Sequence, residues 1–302
     1  MHPAFGRLET DAARRALRAL REARLRLVDL IDAGAGFAGS DPTDYDRALV
    51  LHKRAAIDRA IADVSAQVRS DVLGSVDAAA RLSAIDLREA SGSPIRVDPN
   101  VLAYAQATAG DRVIEWTDRF ASKLRGLTTQ VFAGGLTHRE YVQSIRRAMG
   151  PHGAEHAVDR IVRTELNRAY QQQRAAGDGQ LEATGADLVR VWVSQLDLRV
   201  RDSHAAIHGQ ERELGDPFSV GGGATSTTPP SGPGHRCNGP LDPSLPAEEA
   251  VNCRCDVLYV PRSEARQPYI RRALAASVRH GRIDELRRFL AARGLPYPIP
   301  RL

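Results

Sequence analysis

The sequence predicts a helix-dominated α+β fold: an N-terminal helical bundle or hairpin, then a small α+β domain with a short sheet and a long Pro/Gly-rich loop. Three observations predict it. Apolar residues recur at helical spacing through most of the first 176 positions. Two short β-branched runs, Leu188–Val193 and Asp256–Val260, are the strand candidates. Between Gly209 and Val251 the chain holds seven Pro and the triplet Gly221-Gly222-Gly223, a composition that reads as loop.

Residues 8–33 read as a helix, with Leu17, Leu20, Leu27 and Ile31 near helical spacing and Arg14, Arg18, Arg21 and Glu22 between them. Gly34, Gly36 and Gly39 end it, and Asp41-Pro42 is a turn. A second helix starts near Pro42 or Thr43 and continues to about Glu89, with Ile57, Ile61, Val64, Val68 and Val72 as its apolar stripe and Gly74 as a potential break. Its stripe needs a partner helix, within the chain or on another protein. Breakers at Ser91-Gly92-Ser93-Pro94 place a boundary, so 1–92 reads as a helical arm.

Residues 99–133 read as helix, with Val113, Trp116, Phe120, Leu124 and Leu127 as core. Thr137 and Glu140 form a capping box that opens a helix to about Ala148. A further helix over 153–176 carries Arg163-Thr164-Glu165, and its buried stripe is Val158, Ile161, Val162, Leu166 and Ala169. Residues 177–185 read as loop. Residues 199–208 fit a short helix that would set His204 and His208 on one face at i, i+4. Pro246-Ala247-Glu248-Glu249 is one helical turn, and the two strand candidates pair. Helices over 263–279 and 282–293 finish the chain in a basic tail, 261–302.

The chain is 42% apolar and 26% charged, ordinary for a globular protein. No run approaches the roughly 20 apolar residues that cross a bilayer, and Met1–Leu30 lacks an apolar signal core. A soluble protein made in a cytoplasm is the expectation. The net charge is +5 and is unevenly spread. From Arg262 to Leu302 ten Arg stand against Glu264, Asp284 and Glu285. Arg271, Arg272, Arg279, Arg282, Arg287 and Arg288 are therefore candidate contacts to an acidic partner, duplex DNA bound through its phosphates or an acidic protein face.

Three cysteines are too few for a disulfide framework. Cys253 and Cys255 with His204 and His208 offer four potential zinc ligands. Asp197, or His235 with Cys237, could replace one. A hydrogen-bond network of His, Asp and Arg with buried thiols explains the same residues without metal. A third reading makes Asp197, Arg199, Arg201, His204 and Glu165 a hydrolase site on nucleic acid, or a zinc-dependent enzyme centred on Asp197 and His204. No spacing here selects a reaction, and no phosphate loop or nucleophile elbow occurs.

One ordered set of residues stands out. It runs Arg163-Thr164-Glu165, Trp192, Asp197, Arg199, Arg201, His204, Gly209, then Pro240, Asp242, Pro243 and Asn252-Cys253-Arg254-Cys255. This set resembles the phage Mu F-like family of minor capsid, or head morphogenesis, proteins. The likeness covers about 155–260 within a domain drawn at 93–260. The family often has Asp before the Gly where this chain has His208, and Cys237 is an addition. The resemblance implies a structural, non-enzymatic minor head protein of a tailed phage or related particle. It implies a place inside the virion near the portal vertex. The portal protein, the major capsid or scaffold proteins and packaged DNA are its implied partners. It also implies a structural ion-pair role for Arg163 and Glu165 with the downstream Asp and Arg residues.

Overall fold

In a computed structural model of the chain, residues 3–32, 44–132, 136, 138–195, 199–224 and 231–262 are described. The expectations for Asp197, the Thr137 half of the capping box and the whole Arg-rich tail, Arg271 to Arg288 included, lie outside the described residues.

The described elements run α1 (Pro3–Asp32), α2 (Asp44–Ser91), α3 (Pro99–Phe132), α4 (His138–Met149), α5 (Ala154–Ala183), β1 (Leu188–Val193), α6 (Asp202–Ala206), β2 (Glu211–Glu213), β3 (Phe218–Gly221), β4 (Gly234–Cys237), α7 (Ala247–Ala250) and β5 (Asp256–Pro261). The fold is α+β and helix-dominated, as the periodicity predicts. Gly74 does not divide α2, because a Gly inside a helix costs only about 1 kcal/mol against Ala. Gly177 likewise does not end α5. Its missing side chain is needed there: a Cβ would lie 2.4 Å from Leu87 Cδ1.

Two compact units form. One comprises Ala4–Ala78 and Ala103–Leu166. Its core is built from the expected stripes: Leu20 and Leu27 of α1, Ile57, Ile61, Val64, Val68 and Val72 of α2, and Val113, Trp116, Phe120 and Leu124 of α3 are all buried. Trp116 and Phe120 stack at 5.6 Å. Glu155 is buried in this unit and answered by Arg21 at 2.9 Å and Arg24 at 3.3 Å.

The second unit comprises Met1–Pro3, Ala79–Leu102 and Asn167–Leu302. It holds a three-stranded sheet in the order β2-β1-β5 and a separate β3-β4 ribbon, all pairs antiparallel. The predicted pairing of the two strand candidates is present, with Arg190 opposite Tyr259 and Trp192 opposite Val257. The long loop expected over 209–251 is partly structured, since β2, β3, β4 and α7 lie within it. Strands of three or four residues broken by Gly and Pro are too short to show a period of two.

Strand β1 is buried on both faces. Val189 and Val191 pack with Val260, while Leu188 and Trp192 join the main core with Leu181, Phe218, Leu241 and Val257. Arg190 shares the Leu188 and Trp192 face by the strand's two-residue period and is fully buried. Its guanidinium donates to the carbonyls of Glu213 at 3.2 Å, Asn238 at 2.8 Å and Asp216. It pairs with Asp178 at 2.9 Å and stacks on the Phe218 ring. A buried cation must be paired in this way. Sequence reading missed Arg190.

Candidate functional site

The site lies in the second unit, where β1, α6, α7 and the turn before β5 meet. Its frame is set by backbone geometry. Gly209 has φ +82, a left-handed conformation that favours glycine. From there its N–H donates to the Trp192 carbonyl at 2.8 Å, and the Trp192 N–H reaches the Gln210 carbonyl at 2.9 Å. Asn252 is also left-handed, at φ +59, a conformation that Asn tolerates better than most residues. This turn takes Cys253 out of strand geometry, so Cys253 and Cys255 do not point to opposite faces as two strand residues would.

Helix α5 braces the turn with a buried polar stripe at Asn167, Gln171, Arg174 and Asp178. Asn167 Nδ2 donates to the Cys253 carbonyl at 3.0 Å, and Gln171 Nε2 to Asp256 Oδ1 at 2.8 Å. Arg174 meets Asp256 at 3.2 Å and Asp86 at 3.1 Å, and lies over the Tyr170 and Tyr259 rings. Burial works against its charge, but Asp256, Tyr170 and Asp86 outweigh it and hold the guanidinium more basic than usual. The Tyr259 hydroxyl lies 2.6 Å from Asp178 Oδ1.

At the centre is His204, 1% exposed on α6. Its Nδ1 lies 3.3 Å from Cys255 Sγ and 3.5 Å from Cys253 Sγ. Its Nε2 lies 3.0 Å from Glu249 Oε2. The Ser203 hydroxyl lies 3.0 and 2.9 Å from the two Glu249 oxygens. Trp192 packs edge-on to the imidazole with ring centroids 5.3 Å apart. Ser194 Oγ donates to the His204 carbonyl at 2.6 Å and sits 3.7 Å from Cys255 Sγ. The hydrogen bond with Cys255, reinforced by His204, pulls the Cys253 thiol well below its ordinary range against the effect of burial. Burial and the neighbouring sulfur push Cys255 well above it.

A cleft reaches this cluster, lined by Arg199, Arg201, Asn252 and Arg254 together with His204, Cys253 and Cys255. Arg201 Nη2 donates to the Val251 carbonyl at 2.5 Å and so holds the start of the Cys turn.

Of the four expected metal ligands, three converge: ligand atoms of His204, Cys253 and Cys255 lie within 4.8 Å of one another. His208 is not in that group. Helix α6 stops at Ala206, so the i, i+4 face expected over 199–208 does not form. His208 Nδ1 instead accepts the Ser194 N–H at 3.0 Å, and burial lowers the ring's pKa to about 4. Cys237 is buried in the core, where burial raises its thiol to about 12. Among the described residues Arg163 pairs with Glu9 at 3.0 Å and Asp159 at 3.3 Å; Asp197, among the downstream partners the resemblance suggests, lies outside the described residues. Glu165 is buried. Sequence reading missed Glu249 as a partner of the histidine; its position in the short turn at 246–249 was the available signal.

The family model described as "Phage Mu protein F like protein" matches residues 122–258. Over that stretch the chain is similar to the phage Mu F-like family, in keeping with the motif set. A curated relative, the NAD(+)--arginine ADP-ribosyltransferase EFV of Enterococcus faecalis (strain ATCC 700802 / V583), is 23% identical over 154 residues. The alignment covers 50% of this chain and 29% of that protein, so the chain spans under a third of the relative's length. No solved structure matches the chain. No described helix is long and apolar enough to cross a membrane.

Proposed function

We propose that this chain is a minor head protein acting in capsid morphogenesis of a tailed phage or phage-like particle. In this reading it sits inside the head near the portal vertex and works by binding, not by turnover. The portal protein and the major capsid or scaffold proteins are its partners. The observation that carries the reading is the Mu F-like match over 122–258 with the ordered motif set inside it. The geometry supports it, because the motif residues hold structure. Gly209 extends the β1 ladder, Asn252 makes the turn, Arg201 ties down Val251, and Trp192 packs on His204.

Mass spectrometry of density-banded particles tests this directly. The expected result is the chain at low copy in the particles, either in filled and emptied heads alike or lost when the genome leaves. Absence from every particle overturns it. The name of the enterococcal relative motivates one further assay, NAD+ consumption with an arginine acceptor. We read the partial alignment as likeness in a shared segment, so no turnover is expected; turnover lost in His204→Ala would favour an enzyme.

A further inference from the structure

We propose that His204, Cys253 and Cys255 form a three-ligand site for zinc, bound through Nδ1 and two thiolates, with a fourth position open to the cleft at Arg199, Arg201 and Asn252 and filled by water. The inference is independent of the head-protein reading.

Four observations carry it. The first is spacing. A tetrahedral zinc with Zn–S near 2.3 Å and Zn–N near 2.0 Å sets its ligand atoms roughly 3.5–3.8 Å apart. Here Nδ1 stands 3.3 and 3.5 Å from the two sulfurs, and the whole set fits within 4.8 Å. The second is the outer partner. A ligating histidine almost always gives its other N–H to a carboxylate or carbonyl. Glu249 Oε2 lies 3.0 Å from Nε2, within ion-pair reach though not aligned as a hydrogen bond, and Ser203 steadies the carboxylate. The nearby carboxylate favours a proton on Nε2, the tautomer that leaves Nδ1 bare toward the sulfurs.

The third observation is rigidity. The left-handed Asn252 and the Asn167 bond to the Cys253 carbonyl hold the Cys turn in the shape that brings both sulfurs together. The fourth is access. All three residues are buried, yet all three line the same cleft, which gives the ion an entry path and an open side. The donor set is imidazole and thiolate, which selects zinc or a similarly soft ion over magnesium or calcium. On binding, the two thiol protons leave to solvent and the ion sheds all but one of its waters. No electron moves, and two thiolates balance the ion's charge.

The test uses the full chain, stripped of metal with a chelator under a reductant and titrated with cobalt(II) as the probe. The expected result is a sulfur-to-cobalt charge-transfer band with the visible spectrum of a tetrahedral site, saturating at one equivalent. Zinc should displace the cobalt, and up to two protons should be released per ion. Cys253→Ser and Cys255→Ser should each abolish the tetrahedral spectrum, while Cys237→Ala should keep it. The wild-type titration decides even if the variants fold poorly. Absence of a thiolate band overturns the proposal. So does a band that survives in the double Cys253→Ser, Cys255→Ser variant, or a Cys253–Cys255 disulfide that persists under reductant.

Discussion

Glu249 Oε2 lies 3.0 Å from His204 Nε2, on the side of the ring away from the two sulfurs. A carboxylate at that distance favours a proton on Nε2 and so leaves Nδ1 to meet Cys253 and Cys255. Replacing Glu249 with Ala should weaken zinc and cobalt binding about 10- to 100-fold. Gln should cost less, since its amide oxygen still accepts. Competition against a chelating dye measures both. Unchanged affinity in Glu249→Ala would show that the carboxylate does not orient the ring.

Arg190 is the most heavily committed side chain of the sheet. Arg190→Met would take the cation from buried Asp178 and the side-chain donor from three carbonyls. Removing one partner of a buried pair costs about 3–5 kcal/mol. Burial already pushes the Asp178 carboxyl above the usual range despite Arg190 and Tyr259, so it has little tolerance for losing the cation. Urea unfolding should show that loss, and Asp178→Asn in the Arg190→Met background should recover part of it.

His208 should make stability pH-dependent. Its folded pKa, about 4, lies below its ordinary value of 6.5, so the unfolded chain takes up the proton first. The histidine costs nothing above pH 6.5, and stability falls as pH drops from there toward 4. Between pH 7.5 and pH 5 its share is about 2 kcal/mol. His208→Asn keeps an acceptor for the Ser194 N–H and cannot titrate. The gap between the wild-type and variant urea midpoints should therefore change over that range, and a constant gap would refute the assignment.

The Arg-rich tail should bind duplex DNA through phosphates. Each phosphate neutralised adds about 0.9 to the slope of log affinity against log salt. Engagement of Arg271, Arg272, Arg279, Arg282, Arg287 and Arg288 would thus give a slope of about −5. The cut belongs after Arg262, because that residue is tied to Asp187 at 2.8 Å and Glu213 at 2.5 Å. A chain ending there should lose both the affinity and the slope. Equal binding by the two chains, measured by fluorescence anisotropy, would assign DNA binding elsewhere or to nothing.

Much of this was legible in the sequence. The stripes of α1, α2 and α3 and the β1–β5 pairing express local periodicity and β-branched composition. The polar stripe of α5 was not. Asn167, Gln171, Arg174 and Asp178 recur at helical spacing, which in isolation reads as a solvated face. Cys253, Asp256 and Tyr259, more than eighty residues downstream, together with Asp86 and Arg190, make that face an interior one. Arg190 was hidden for the same reason, since its partners come from α5, β2 and the turns before β3 and after β4.

The sequence by itself determined the long helices, strands β1 and β5, the Mu F-like motif set and the residue types able to bind a soft metal, because those depend on neighbours along the chain. The tertiary structure alone decided that His204 stands against Cys253 and Cys255, that His208 turns to the Ser194 backbone, and that Glu249 completes the set. Those outcomes depend on contacts between segments from 14 to 51 residues apart, and no local pattern encodes where such segments meet.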